Sequence, residues 1–261
     1  MILIMKKTNV ILGILIFVLV AAIVAINIGF GAKGDGSSVN ASEYVETLSP
    51  AGKIIVLDAG HGGEDPGAVS AYSGTKEKDI TLVIAQKTKK LLEDAGYTVV
   101  MTRTEDVLNY DDENLSMTAK RRQDLLKRKK MMDESNADIV VSIHLNSFSD
   151  SQYHGAQTFY TKESLSSKKL AISLQTALRE LLEPENDREA LLKSEDIIIT
   201  KNCKVTTAIV ECGFLSNQEE EKKLVDDSYQ TKIAEAIKAG IDNYFTVMAP
   251  MRYCSQSHRA I

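Results

Sequence analysis

The hydrophobic positions of this 261-residue chain form short apolar runs that alternate with amphipathic stretches. Apolar runs rich in β-branched residues are typical of buried strands, whereas apolar residues spaced three and four apart indicate helices. Their alternation predicts an α/β fold, a single domain whose central, mostly parallel sheet is flanked by helices on both faces. The predicted strands are Lys53–Leu57, Tyr97–Met101, Ile139–Leu145, Ala156–Tyr160 and Thr207–Val210, and the predicted helices are Lys78–Ala95, Ser116–Ser135, Leu170–Leu182 and Ile233–Phe245.

The beginning of the chain follows a different pattern. Lys6 and Lys7 precede Val10–Phe30, which carries no charged residue. Its length is close to the ~20 residues with which a helix spans a bilayer. Gly29-Phe30-Gly31 is a poor cleavage site, so residues 1–30 are predicted to be a membrane anchor rather than a cleaved signal segment, although the signal remains the alternative. The two lysines place the remainder of the chain outside the cytoplasm, membrane-anchored or secreted.

Composition divides the rest of the chain and limits its partners. Residues 31–50 are rich in small and polar residues and predict a flexible linker, 51–247 form one domain, and 248–261 are a tail without apolar pattern. The net charge of −5 disfavours a nucleic-acid partner. The basic run Lys120–Lys130 is therefore interpreted as a solvated helix face, with a surface that holds an anionic glycan as the alternative. The three cysteines lack the spacing of a metal knuckle.

Two of the four histidines stand at the ends of predicted strands. His61 follows Lys53–Leu57 within a glycine-rich segment, and His144 lies near the end of Ile139–Leu145. Glu77 stands at the start of the first predicted helix. Alone, each has an ordinary explanation, such as a structural hydrogen bond or the helix macrodipole. Two imidazoles and a carboxylate are nevertheless a recurrent catalytic zinc set that leaves a fourth position open.

A second carboxylate, Glu211, directly follows the predicted strand Thr207–Val210. A carboxylate at the end of a buried strand is costly unless it is paired or functional. Beside a metal it could take a proton from water and return it to a leaving amine. The neighbouring Cys212 has no evident base and is interpreted as a packing residue.

Four segments of the chain resemble the sequence blocks of zinc-dependent N-acetylmuramoyl-L-alanine amidases. They occur in the order of that family and extend over most of 51–247. The resemblance implies a catalytic domain of one α/β layer fold and peptidoglycan as substrate. It also implies Zn²⁺ held by His61, Glu77 and His144, with Glu211 as the catalytic glutamate. The segments are Ile55–Gly67, Glu77-Lys78, Ser142–Asn146 and Val210–Asn217.

A narrower resemblance lies in Asp124–Ser135 and the following Asn136–Asp138, which are similar to sporulation-associated amidases of the CwlD type. The hydrophobic leader and the absence of wall-binding repeats agree with it. It implies removal of stem peptides in the spore cortex, a step toward the muramic-δ-lactam needed for germination. A vegetative wall amidase, a zinc peptidase or deacetylase, and an inactive wall-binding protein stay open as alternatives, as does an activating partner protein.

Overall fold

The computed structural model describes residues 50–161, 164–193 and 197–248. The predicted anchor or signal segment 1–30, the linker 31–50 apart from Pro50, and residues 249–261 of the tail lie outside the described residues. Within the described part, no helix has both the length and the apolar character needed to cross a bilayer.

Strands and helices alternate along most of the chain, as predicted. Two short elements, a strand at Leu191–Leu192 and a helix at Gln218–Leu224, were not predicted, because neither is long enough to show a periodic pattern. The strands are β1 (Ile54–Ala59), β2 (Thr98–Met101), β3 (Ile139–Asn146), β4 (Gln157–Tyr160), β5 (Leu191–Leu192) and β6 (Thr206–Phe214). The helices are α1 (Glu77–Asp94), α2 (Met117–Glu134), α3 (Leu165–Leu182), α4 (Gln218–Leu224) and α5 (Asp227–Met248).

The six strands form a single mixed sheet in the order β2-β1-β3-β6-β4-β5. Strands β2, β1, β3 and β6 are parallel to one another, and β5 is parallel to β4. Strand β4 runs antiparallel to β6. The sequence predicted a mostly parallel sheet but not which strand would be antiparallel. The reason for the antiparallel direction is the connection from β3 to β4, which contains no helix and is too short for a parallel crossover.

Alternate residues of the central strands face two different hydrophobic clusters. Ile55 and Leu57 of β1 belong to the larger cluster, which also contains side chains of α1, α3 and α5. Val56 points to the other face, where it packs with Met132 of α2. Helices therefore cover both faces of the sheet, with α1, α3 and α5 on one side and α2 on the other.

The strand register brings two of the predicted site residues together. His144 of β3 and Glu211 of β6 are paired across the parallel ladder, near the carboxyl ends of both strands. Strand β1, which neighbours β3, ends at Ala59, two residues before His61. Functional groups of α/β folds collect at this edge of the sheet, and three of the predicted residues lie there.

Candidate active site

The loop after β1 holds His61 in an uncommon backbone conformation. His61 has a φ of 62°, in the left-handed region that residues other than glycine rarely adopt. The preceding Gly60 is required by proximity, since a Cβ at this position would lie 2.4 Å from the ring of His144. Without that side chain, the rings of His61 and His144 meet edge to face with their centroids 5.1 Å apart.

Glu77 lies between the two histidines although it begins a surface helix. Its side chain is only 4% exposed. Oε1 accepts hydrogen bonds from the backbone N–H of Leu145 (2.9 Å) and from His144 Nδ1 (3.0 Å). Oε2 accepts from the backbone N–H of Ala68 (2.8 Å) and lies 3.3 Å from His61 Nε2. Burial opposes ionisation, but the hydrogen bonds to both imidazoles outweigh it and hold the pKa of Glu77 well below its usual range.

The donor atoms of His61, Glu77 and His144 all lie within 4.8 Å of one another. Two ligands of a tetrahedral zinc ion, each about 2.0–2.1 Å from the metal, are roughly 3.3 Å apart, which is close to the separations of the two rings from Glu77. Burial disfavours the charged imidazole, yet hydrogen bonds to Asp65 and Glu77 raise the pKa of His61 to about 9. Zinc would take the place of that proton. The residues present therefore fit a zinc ion in both chemistry and spacing.

Asp65 orients the first of these histidines. His61 Nδ1 donates to Asp65 Oδ2 over 2.8 Å, which leaves Nε2 facing Glu77. Asp65 Oδ1 in turn accepts from Arg121 Nη2 of α2 over 2.6 Å. A carboxylate behind a ligating histidine fixes the tautomer and the ring orientation of that ligand. Sequence reasoning missed this role, although Asp65 stands four residues after His61 within one of the four segments.

Glu211 has a buried carboxylate oxygen with no hydrogen-bond partner among the described residues. This atom is Oε2. Burial raises the pKa of Glu211; the nearby Glu77 carboxylate adds to this effect and His144 acts against it. A raised carboxyl pKa suits a group that must accept and return a proton near neutral pH. Cys212, on the opposite face of β6, is buried in the larger cluster, which confirms its interpretation as a packing residue.

The basic run on α2 is not a solvated face throughout, and that interpretation was wrong for two of its members. Lys120 is 6% exposed and Arg128 is 2% exposed. They lie at four-residue intervals with Asp124 and Met132, so the helical period places all four on the inner side. Their spacing was visible in the sequence, but the density of charge concealed it.

Arg128 connects α2 to the loop that carries His61. Its guanidinium donates to the carbonyls of Ala59 (2.6 Å) and His61 (2.7 Å). It also bonds to Asp58 (2.9 Å) and Asp124 (2.6 Å), so that the buried charge is fully paired. These bonds fix the backbone around His61, the residue with the positive φ.

A cavity of about 300 Å³ opens beside these side chains, between the sheet and α2. His61, His144 and Glu211 line one part of it, and the isoleucines of residues 197, 199 and 209 line another. Three of the four residues predicted from sequence thus line one cavity, and the fourth, Glu77, contacts both of its histidines. A triad of side chains that fits a metal, a buried carboxylate and adjoining space are the parts that amide hydrolysis assisted by a metal requires.

The chain belongs to the N-acetylmuramoyl-L-alanine amidase family, whose profile matches residues 55–243. It is accordingly an amidase that acts on peptidoglycan. As in other cell-wall amidases, its site of action is extracytoplasmic.

Individual relatives agree with this assignment. The germination-specific N-acetylmuramoyl-L-alanine amidase of Bacillus subtilis is 36% identical over 200 residues, which cover 77% of this chain and 83% of the relative. The CwlD amidase of Clostridioides difficile, solved in complex with the GerS lipoprotein, is 44% identical with a TM-score of 0.73, over 75% of this chain and 99% of that one. An N-acetylmuramoyl-L-alanine amidase of Clostridium difficile 630 is 30% identical with a TM-score of 0.66, over 77% and 100%. The chain is therefore similar to CwlD-type amidases in particular.

Proposed function

We propose that this amidase is zinc-dependent and that His61, Glu77 and His144 hold the metal, with Glu211 as the catalytic residue. The observation that carries the proposal is the convergence of two imidazole nitrogens and one carboxylate within 4.8 Å. The unpartnered oxygen of Glu211, on the strand beside His144, supports the assignment of the fourth residue.

The residues of the site have different proposed roles in hydrolysis. Zinc, when bound, polarises a carbonyl and makes water more acidic. Glu211 accepts the proton of the attacking water and returns it to the amide nitrogen that leaves. Asp65 and Arg121 keep His61 in the orientation that faces the metal. The bond broken joins the lactyl group of N-acetylmuramic acid to the L-alanine of the stem peptide.

A zinc peptidase or deacetylase would use the same kind of site, so the bond that is cleaved must be identified directly. The test is mass analysis of the products from purified peptidoglycan, with and without a chelator. We expect released stem peptides that begin with L-alanine and glycan that retains its acetyl groups. In chelator, no stem peptide should be released until zinc is restored. Peptides that lack L-alanine, or release of acetate, would contradict the proposal.

The cellular role proposed is removal of stem peptides in the spore cortex, a step toward muramic-δ-lactam and germination. The names of the Bacillus subtilis and Clostridioides difficile relatives support it. A strain without this protein should then form spores whose cortex lacks muramic-δ-lactam and which fail to germinate. Normal spores, with growing cells that fail to separate, would point to a vegetative amidase.

The protein is further proposed to be tethered outside the membrane by residues 1–30 and to work with a lipoprotein partner. The apolar run after Lys6 and Lys7 supports the tether. The complex of the Clostridioides difficile relative with GerS supports the partner. Protease added to intact protoplasts should digest residues 51–247, and affinity purification of the chain from sporulating cells should recover a lipoprotein. Protection until lysis would contradict the tether, and recovery of the chain alone would contradict the partner.

A further inference from the structure

Exposed aromatic side chains lie on the loops that adjoin the active site. Among the described residues, the exposed phenylalanine and tyrosine side chains are Tyr72, Phe148 and Tyr153, with 47%, 54% and 44% of their surface accessible. Tyr72 lies in the loop that leads to Glu77, and the other two lie in the loop that leaves β3 after His144. Large apolar groups left in water beside a catalytic site are typical of a ligand surface.

These three residues, here called the aromatic shelf, are fastened to one another. Ser216, in the loop after β6, joins two of them, since its carbonyl accepts from Tyr72 Oη (3.3 Å) and its Oγ accepts from the N–H of Phe148 (3.0 Å). The rings of Phe148 and Tyr153 meet edge to face with their centroids 4.9 Å apart. The shelf is therefore a built surface and not a set of separate loop residues.

A buried base supports the shelf. The ring of Tyr153 stacks on Phe214 of β6 at 6.2 Å, and the Arg188 guanidinium lies 4.9 Å from the centre of the Phe214 ring. Phe214 follows Glu211 by three residues in the same strand, so roughly 10 Å separate their backbones. The base of the shelf thus lies within the length of a short oligosaccharide from the proposed catalytic residue.

We propose that the aromatic shelf binds the glycan strand of peptidoglycan. This inference rests on the proposed function and adds the saccharide subsite to it. A pyranose ring offers a face of C–H groups that stacks on an aromatic ring, while its hydroxyls need hydrogen-bonding groups at the rim. The loops of the shelf supply such groups in the hydroxyls of Ser151 and Ser216. The Ser216 hydroxyl accepts from the N–H of Phe148 and still has its own O–H to donate. The glycan also continues past the muramic acid at the scissile bond, so it must lie on surface beside the site.

The test is a calorimetric titration of the full chain with peptide-free glycan strands in the presence of chelator. Neither hydrolysis nor zinc enters this measurement, so failure of the proposed function and failure of the shelf are distinguishable. We expect saturable binding by the unaltered protein. Phe148→Ala and Tyr153→Ala should each raise the Kd by about tenfold or more, which corresponds to a loss of about 1.4 kcal/mol in binding free energy.

Conservative and remote variants separate stacking from general effects on folding. Phe148→Trp should retain binding because it keeps an aromatic face, whereas Phe148→Leu should lose it as Phe148→Ala does. Ile172→Ala, at an exposed apolar position on α3, should leave the Kd unchanged. Melting curves of each variant establish that it is folded. Unaltered affinity in both alanine variants, full binding by Phe148→Leu, or no binding by the unaltered protein would each overturn the proposal.

Discussion

Each histidine of the site presents a ring nitrogen to a different oxygen of Glu77. His144 Nδ1 lies 3.0 Å from Oε1, and His61 Nε2 lies 3.3 Å from Oε2. Glu77 cannot move to accommodate either ring, because backbone N–H groups of Leu145 and Ala68 bind its two oxygens. The triad is thus preorganised by the backbone around its central residue.

Removal of either ring should abolish metal binding. We expect His61→Ala and His144→Ala to lose stoichiometric zinc, since each leaves only two of the three proposed ligands. Elemental analysis of purified protein measures this directly. His154→Ala is the matched control, because that side chain is 61% exposed and its ion pair, at 3.9 Å, is with Glu183. Zinc content like that of the unaltered protein in both site variants would remove these residues from the ligand set.

At the scale of elements, α2 positions the loop that carries the first histidine. Three side chains of this helix reach that loop: Lys120 bonds to Glu64, Arg121 to Asp65, and Arg128 to the carbonyls of Ala59 and His61. A strained backbone persists only where its surroundings hold it firmly. The inner face of α2 provides that support for His61.

Arg128→Lys should weaken both the fold and the metal site. A single ammonium group cannot replace the planar fork that reaches two carbonyls and two carboxylates. We expect a loss of about 2–4 kcal/mol in the free energy of unfolding, from buried groups left without partners. Zinc affinity should also fall by about 10–100-fold, the range found when groups that orient a ligand are removed.

The control for this variant is Arg122→Lys, which changes an exposed arginine of the same helix. Denaturant unfolding of the metal-free protein and competitive zinc titration measure the two effects separately. A loss of stability without a loss of zinc affinity would restrict Arg128 to folding. Zinc affinity that falls as predicted would place it among the positioning residues.

The buried ion pair of Asp58 and Arg128 leads to a prediction about how the stability of the fold depends on pH. Burial opposes ionisation of Asp58, but Arg128 and the hydroxyls of Ser142 and Thr102 lower its pKa from 3.8 to about 2. Below pH 3.8 the Asp58 carboxylate is protonated in the unfolded chain but is still ionised in the native state. The stabilisation, roughly 2 kcal/mol, is therefore complete above about pH 4 and is lost as the pH falls toward 2.

Denaturant unfolding of the metal-free protein at several pH values tests this sign. The stability difference between the unaltered protein and Asp58→Asn should be largest near neutral pH and should shrink between pH 4 and the lowest pH at which both fold. Asp94→Asn, at a surface ion pair with Lys90, should show no such trend. A difference that stays constant or grows in acid would contradict the assignment.

At the scale of the whole molecule, the hydrophobic pattern was sufficient to predict the α/β layers and the edge of the sheet at which the site lies. His61 and His144 could be placed there because each stands at or near the end of a continuous apolar run. Glu77 was a candidate from its residue type and position, and the resemblance singled it out, since the sequence does not show that the first residue of a surface helix turns inward.

Other features depend on contacts that no local pattern records. The antiparallel direction of β4 follows from the loop before it, and β5 is too short to show any period. Arg128 is buried because Asp58, from a distant strand, pairs with it. Residues whose role depends on distant partners are therefore the ones that sequence reasoning missed.

In the proposed mechanism, different residues hold the metal and transfer the proton. Glu211→Gln tests this most directly, because the amide is nearly isosteric and leaves His61, Glu77 and His144 untouched. The measurement is turnover of peptidoglycan per bound zinc, with the melting temperature recorded on the same preparation. We predict full zinc content and turnover reduced by about 10²–10⁴-fold, the range for a general acid–base group. Turnover near that of the unaltered protein would contradict the account, because Glu211 would then be a structural carboxylate.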